Sequence, residues 1–338
     1  MGRSRLRPIA KTKRNFWEGV AGRRTSAERR SARRGLNLRD ALLAPTTRRL
    51  YAEAFIALWR WVGMPPPHGI DSNSKFDLLL SRYIEHAWTE GLTRGEAGNA
   101  LSASIAMYPQ LRGRGKLPDS WFLLNAWHRY EIPMRAPPMP VEVLLALAWY
   151  FIRMGHFGGA VLLLIGFDCF LRTGEMLSLV VSDVVLDESG SGVVRLAHTK
   201  TGQRHAAFEA STINDPVCGK LFRAYRARLP ASTHEEHYVF APKAHVFYKL
   251  FHDGLRWLGL EAFGFLPYSI RRGGATAYFR ATRNMEAALD RGRWSSARVA
   301  RIYLNDGLAK EVELRFGEKT KAALRVKALA LRKWLETA

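Results

Sequence analysis

Hydrophobic periodicity and turn chemistry predict a mainly α-helical chain with one small antiparallel β-sheet, a helical bundle followed by a mixed α/β domain. Three observations carry that reading. Apolar residues recur at three- and four-residue steps from 44 to about 130. A proline-rich stretch at 131–140 interrupts them. Short Val-rich runs divided by Gly, Ser and Asp then occupy 180–208, before helical periodicity returns after Pro216.

Residues 1–43 read as a flexible basic arm. Through Arg39 they hold thirteen Arg and Lys, against the acidic Glu18, Glu28 and Asp40. Such a block tracks phosphates or acts as a nuclear address, and an Arg-rich, acid-poor start also fits an organelle transit peptide. The helical domain is expected over 44–130. Pro45-Thr46-Thr47 suits a helix start; Tyr51, Phe55, Leu58, Trp59 and Val62 form one apolar stripe, and Pro65-Pro66-Pro67 ends it. Further helices are expected at 74–90, 93–108 and 120–130, making a bundle of about four. Its exposed cations include Arg48, Arg49, Arg112, Arg114 and Lys116, the candidate DNA contacts of this domain.

Residues 131–140, with four prolines, are the expected linker. The second domain is expected over 141–338. Two apolar helices, 141–153 and 157–170, lead to Arg172. Three short strands are expected at 184–186, 192–196 and 204–208. Residues 318–336 read as a Lys/Arg-rich amphipathic helix with Ala323, Leu324, Val326, Ala328, Leu331 and Leu335 on its apolar side.

Composition narrows the function class. Among 338 residues, 52 Lys and Arg outnumber 30 Asp and Glu, a formal charge of +22 that points to a polyanion, most often nucleic acid. Cys169 and Cys218 are too few for a disulfide framework or a four-ligand zinc site. His234-Glu235-Glu236-His237 lacks zinc-helix spacing, so no metal site and no cofactor are expected. The apolar region 141–170 is broken by Glu142, Arg153, His156 and Asp168, and reads as buried helices with no membrane span. No secretory signal is evident at the start.

Five residues stand in an informative order. Arg172 lies in Leu171-Arg172-Thr173-Gly174-Glu175, Lys200 in Thr199-Lys200-Thr201-Gly202, and Arg271 in Tyr268-Ser269-Ile270-Arg271-Arg272-Gly273-Gly274. Trp294, in Gly292-Arg293-Trp294-Ser295-Ser296, precedes Tyr303 by nine positions. Each alone has an ordinary reading: Arg172 pairing with Glu175 or Asp183, Lys200 as a surface lysine, Trp294 and Tyr303 as core aromatics. His198 and His205 read as structural or phosphate-adjacent.

Together, in this order and spacing, they resemble the tyrosine recombinases, or phage-type integrases. The resemblance covers about 44–338 and is densest over 165–306. Residues 269–277 are similar to versions found in eukaryotic mobile elements of that family. It implies a helical core-binding domain and a mixed α/β catalytic domain that clamp duplex DNA, with two sites synapsed in a homotetramer; the terminal helix docks either on a neighbouring subunit, as the family often has it, or on its own domain.

It also implies chemistry. Tyr303 is the nucleophile that attacks a backbone phosphorus, expels a 5′-hydroxyl and forms a 3′-phosphotyrosine, without metal or ATP. Arg172 and Arg271 clamp the phosphate oxygens; beside them Arg272 reads as a further DNA contact or as a side chain that only bonds carbonyls or a carboxylate. Lys200 is the general acid, Trp294 a phosphate hydrogen-bond donor, and Glu175 orients an arginine. Tyr268 stands where the family commonly has histidine; with an ordinary pKa near 10 it is a poor base but a competent donor. The expected activity is site-specific recombination or integration. The alternatives are a sequence-binding protein of the same fold with impaired catalysis, and a nicking-resealing enzyme like type IB topoisomerases. The expected location is the nucleus in a eukaryote, otherwise the cytoplasm or nucleoid.

Overall fold

A computed structural model describes residues 43–113, 115–132, 134–196, 209–230, 233 and 236–338, together with Ser26, Ala27, Arg30 and Arg34. Most of the 1–43 arm, Arg114, Lys200, His198, His205 and His234 lie outside the described residues. The chain is mainly helical with a three-stranded antiparallel sheet. It divides into two compact units, one within Arg24–Arg135 and one within Ala136–Ala338.

The first unit holds α1 (Pro45–Val62), α2 (Asn73–Thr89), α3 (Arg94–Met107) and α4 (Pro118–Tyr130). Proline opens α1, and Gly63 closes it in the left-handed conformation at φ 75°. Thr93 and Glu96 form a reciprocal capping box on α3, the Glu96 carboxylate accepting from the Thr93 amide at 2.7 Å. The start of α4 has no cap of its own. Asp77, buried on α2, supplies one across 42 residues by accepting from the amides of Asp119 (2.9 Å) and Ser120 (3.0 Å). Leu58, Trp59, Phe76, Leu80, Ile84, Leu101 and Trp127 fill the core, as the apolar stripe requires.

In the second unit α5 (Val141–Arg153) and α6 (Phe157–Asp168) form the hydrophobic centre. Gly158 through Gly166 are all buried, because α5, α8 (Pro216–Ala227) and α10 (Tyr268–Thr282) pack round α6. No described helix is long and apolar enough to cross a membrane. The expected linker is only partly one: Pro138, Met139 and Pro140 are buried, and the Met139 amide donates to the Ser269 carbonyl at 3.1 Å.

Strands β1 (Val184–Leu186), β2 (Gly192–Leu196) and β3 (Glu209–Ile213) pair in order, with Val184 opposite Val194 and Val194 opposite Ser211. The third strand thus runs through 209–213, whereas 204–208 lie outside the described residues. Its polar sequence, Glu-Ala-Ser-Thr-Ile, hid it; Thr and Ile keep β propensity, and only Ser211 and Ile213 turn inward.

After α9 (Ala244–Trp257) and α10 come α11 (Met285–Gly292), α12 (Ala297–Tyr303), α13 (Asp306–Arg315) and α14 (Glu318–Thr337). Arg280 on α10 holds α13 through Asp306 and Glu313. The terminal helix α14 lies against α5 and α8 of its own unit, burying Leu324, Ala328 and Leu331. Trp334 stacks on Phe157 at 5.8 Å, with the Arg228 guanidinium 4.8 Å from the Trp334 ring. Docking in cis therefore takes up Leu324, Ala328 and Leu331 of the apolar face, while Ala323 and Val326 stay exposed.

Candidate active site

The site forms where α7 (Thr173–Ser178), α10, α11 and α12 meet. Helix α10 can approach this closely because of two glycines. A Cβ on Gly273 would collide with the Met139 carbonyl, and one on Gly274 with the Phe167 carbonyl. The Arg-Arg-Gly-Gly run therefore sets Arg271 deep against the end of α6.

Arg172 occupies the residue before α7. Its Nη1 donates to Glu175 Oε1 at 2.6 Å, and its amide to Oε2 at 2.8 Å. Glu175 is buried, with Arg271 Nη1 4.0 Å from its Oε2. Arg271 is wholly buried and donates to two backbone carbonyls, those of Phe170 and, at 2.8 Å, Gly292. Its Nε has no hydrogen-bond partner among the described residues. Burial, then the Arg172 and Arg293 cations, pull its pKa down to about 10, so it stays protonated at neutral pH.

Trp294 is buried with its indole Nε1 also unpartnered among the described residues. Its ring stacks on Tyr303 (4.8 Å, 28°) and on Phe170 (6.2 Å, 21°). The Arg271 guanidinium lies 5.3 Å from the Trp294 ring and 5.0 Å from the Tyr303 ring. Gly292 makes room for this stack, since a Cβ there would fall within 2.5 Å of the indole carbons. Tyr303 ends α12, and its carbonyl accepts from Thr276 Oγ1 at 3.4 Å, which moors α12 to α10.

Tyr268, the first residue of α10, faces Tyr303 with ring centroids 5.8 Å apart. Burial, followed by the hydrogen bond and charge of Tyr303, pushes its pKa well up. The neutral hydroxyl is thereby favoured, so the group is suited to hydrogen bonding.

The structure thus gathers Arg172, Glu175, Tyr268, Arg271, Trp294 and Tyr303. Lys200 lies outside the described residues, in the 197–208 segment that joins β2 to β3. Arg48, Arg49, Arg112 and Lys116 are exposed on the helical unit, Arg49 3.3 Å from Glu53; Arg114 lies outside the described residues. Arg272 is 2% exposed and donates to the Ala136 carbonyl at 2.7 Å, an interior tie. It projects from α10 one residue after Arg271, toward the 136–139 backbone.

Two arginines escaped the sequence reading. Arg293 Nη2 donates to Glu175 Oε2 at 2.8 Å. Arg291 pairs with Asp168 at 2.6 Å and donates to Thr212 Oγ1 at 2.9 Å, joining α11 to α6 and β3. Nothing local distinguishes them from surface cations; their partners lie more than 75 residues away. Among the described residues, no cluster of three or more His, Cys, Asp and Glu could hold a metal.

No protein-family model and no curated protein matches the sequence. Solved structures do match its shape. The Tn1549 transposon integrase in complex with transposon right end DNA aligns at 16% identity over 85% of this chain and 96% of that one, TM-score 0.55. A lambda integrase dimer bound to a COC′ core site aligns at 15% identity over 83% and 93%, TM-score 0.53. The XerH site-specific recombinase bound to difH substrate aligns at 14% identity over 88% and 86%, TM-score 0.50. At these identities the likeness speaks to architecture. The chain has the tyrosine-recombinase fold.

Proposed function

We propose that this chain is a site-specific DNA recombinase or integrase that breaks and rejoins duplex DNA through a 3′-phosphotyrosine at Tyr303. One observation carries the reading. Two buried N–H donors, Arg271 Nε and Trp294 Nε1, lack partners among the described residues and lie beside one tyrosine ring. Buried donors without acceptors are costly, and a phosphodiester supplies both acceptors and the missing negative charge. The solved DNA complexes of the same fold, and the formal charge of +22, support DNA as the source of that phosphate.

The Trp294 and Tyr303 rings cover Arg271 here, so phosphate entry swings Tyr303 off the guanidinium. Its phenolic oxygen then forms a bond to phosphorus as the bond to the 5′ oxygen breaks. The phenolic proton leaves to solvent, past the Tyr268 hydroxyl. Lys200 protonates the departing 5′ oxygen. Arg172 and Arg271 hold the non-bridging oxygens as charge builds there, and Trp294 adds a neutral donor. A 5′-hydroxyl from a second strand reverses the sequence. Synapsis of two duplexes in a homotetramer makes that reversal a strand exchange. The exposed Arg48, Arg49, Arg112 and Lys116 contact phosphates without reading bases.

The test uses a nicked suicide duplex carrying a site selected by this protein from randomised DNA. Wild type is expected to form a covalent adduct. Arg172→Ala and Arg271→Lys are expected to keep site binding within a few-fold while adduct formation falls about 100- to 1,000-fold. Site binding without adduct at every pH tried would instead establish a DNA-binding protein that has lost catalysis.

A further inference from the structure

Arg293 holds a backbone conformation that few side chains accept, and its side chain goes inward. It caps α11 at φ 53° and ψ 45°, in the left-handed region where glycine is least strained. Its side chain is 8% exposed. Nη2 donates to Glu175 Oε2 at 2.8 Å, Nη1 reaches the Cys169 carbonyl at 3.4 Å, and Nε stands 3.3 Å from Glu209 Oε2. Arg283 caps α10 in the same left-handed conformation with its side chain 68% exposed, so the turn alone does not mark Arg293; its inward side chain, set against the buried Glu175 and the half-buried Glu209, does.

Its position bears directly on the phosphate clamp. Glu175 Oε1 is taken by Arg172, and Oε2 by Arg293 and the Arg172 amide. Arg271, 4.0 Å away, is therefore left bonded to neutral carbonyls with its Nε uncommitted. Without Arg293, the vacated lone pairs of Glu175 would draw Arg271 in, and the half-buried Glu209 would lose a nearby cation. Glu209 also opens β3, directly after the 197–208 segment that carries Lys200. Arg293 in turn precedes Trp294. One guanidinium thus ties the carboxylate beneath the clamp to the turn that bears Trp294, with the first residue of β3 at 3.3 Å.

We propose that Arg293 is a positioning residue: bonded to Glu175 and close to Glu209, it keeps Arg271 free for the scissile phosphate. This rests on the reading of Arg172 and Arg271 as the clamp and Tyr303 as the nucleophile. It also gives the site its charge. Three guanidiniums, those of Arg172, Arg271 and Arg293, face two carboxylates, leaving one positive charge for one phosphodiester.

The experiment measures single-turnover adduct formation and binding for wild type, Arg293→Lys, Arg293→Gln and Glu209→Gln, on the selected suicide duplex and on the same duplex with a methylphosphonate at the scissile position. Methylphosphonate lacks the oxygen charge that the clamp serves. On phosphate, Arg293→Gln is expected to cleave about 10- to 100-fold more slowly with binding changed less than threefold, and Arg293→Lys to recover part of the rate. On methylphosphonate the gap between wild type and Arg293→Gln should shrink to a few-fold. Equal losses on both substrates, or wild-type rates in Arg293→Gln, overturn the proposal. If Arg293→Gln does not fold, the same comparison is read from Glu209→Gln. A wild type that forms no adduct at all defeats the underlying functional reading; a cleaving wild type with indifferent variants defeats only the role of Arg293.

Discussion

Gly292→Ala adds one methyl group to the protein and is expected to disable the site through Trp294. The new Cβ would lie within 2.5 Å of the indole carbons. Ordinary carbon contacts stand near 3.5 Å, so the ring must retreat by about 1 Å. The indole is confined between Tyr303 at 4.8 Å and Phe170 at 6.2 Å, so the displacement passes to the nucleophile. A misplacement of about 1 Å costs on the order of 100-fold in rate, or ~2.7 kcal/mol of barrier. Overpacking costs roughly 1–3 kcal/mol of stability, against which a helical Gly→Ala change returns up to ~1 kcal/mol. Folding is therefore expected to survive with a Tm lower by a few degrees. Single-turnover adduct formation should fall about 100-fold while DNA affinity holds. Wild-type cleavage by Gly292→Ala would refute the claim that this glycine sets the Trp294–Tyr303 stack.

Other perturbations separate the parts of the structure. Trp294→Phe keeps an aromatic ring but removes the unpartnered Nε1–H, so cleavage should drop about 10- to 100-fold with the urea midpoint nearly unchanged. Asp77→Ala leaves the amides of Asp119 and Ser120 without their acceptor; chemical denaturation of the helical unit should show a loss of roughly 1–3 kcal/mol. Alkaline pH should destabilise the second unit. Burial raises Tyr225 to about 12 and Tyr268 also upward, so both favour the neutral form when folded. Their contribution is full below the unfolded tyrosine value near 10 and is lost as pH climbs through the folded values. The Tm should therefore hold to about pH 10 and then fall, with Tyr225→Phe flattening that decline. Tyr268→His places a group of ordinary pKa near 6.5 beside Tyr303, and the cleavage rate should acquire a new pH-dependent limb in that region.

The parts of the molecule set by local pattern were legible in the sequence. Tyr51, Phe55, Leu58 and Val62 announced α1, Pro65 its end, and the Val-rich runs β1 and β2. The order Arg172, Arg271, Trp294, Tyr303 named residues that the fold gathers into one cluster. What escaped depends on distance in sequence. Arg293 looks like a surface cation until a left-handed turn aims it at Glu175, 118 residues earlier. Arg272 reads as a partner of Arg271, but adjacent helical residues point about 100° apart, and it is buried against Ala136. Phe170 turns the chain into Arg172 at φ 48° with no glycine to mark the bend. The cis packing of α14 could not be separated from docking on a neighbour, since one apolar stripe serves either partner.

The most direct measurement of the central claim is mass spectrometry of the protein–DNA adduct formed on a selected suicide duplex. A 3′-phosphate linked to the peptide bearing Tyr303 is expected, and its loss in Tyr303→Phe with site binding intact. An adduct on any other residue, or one that persists in Tyr303→Phe, would contradict it.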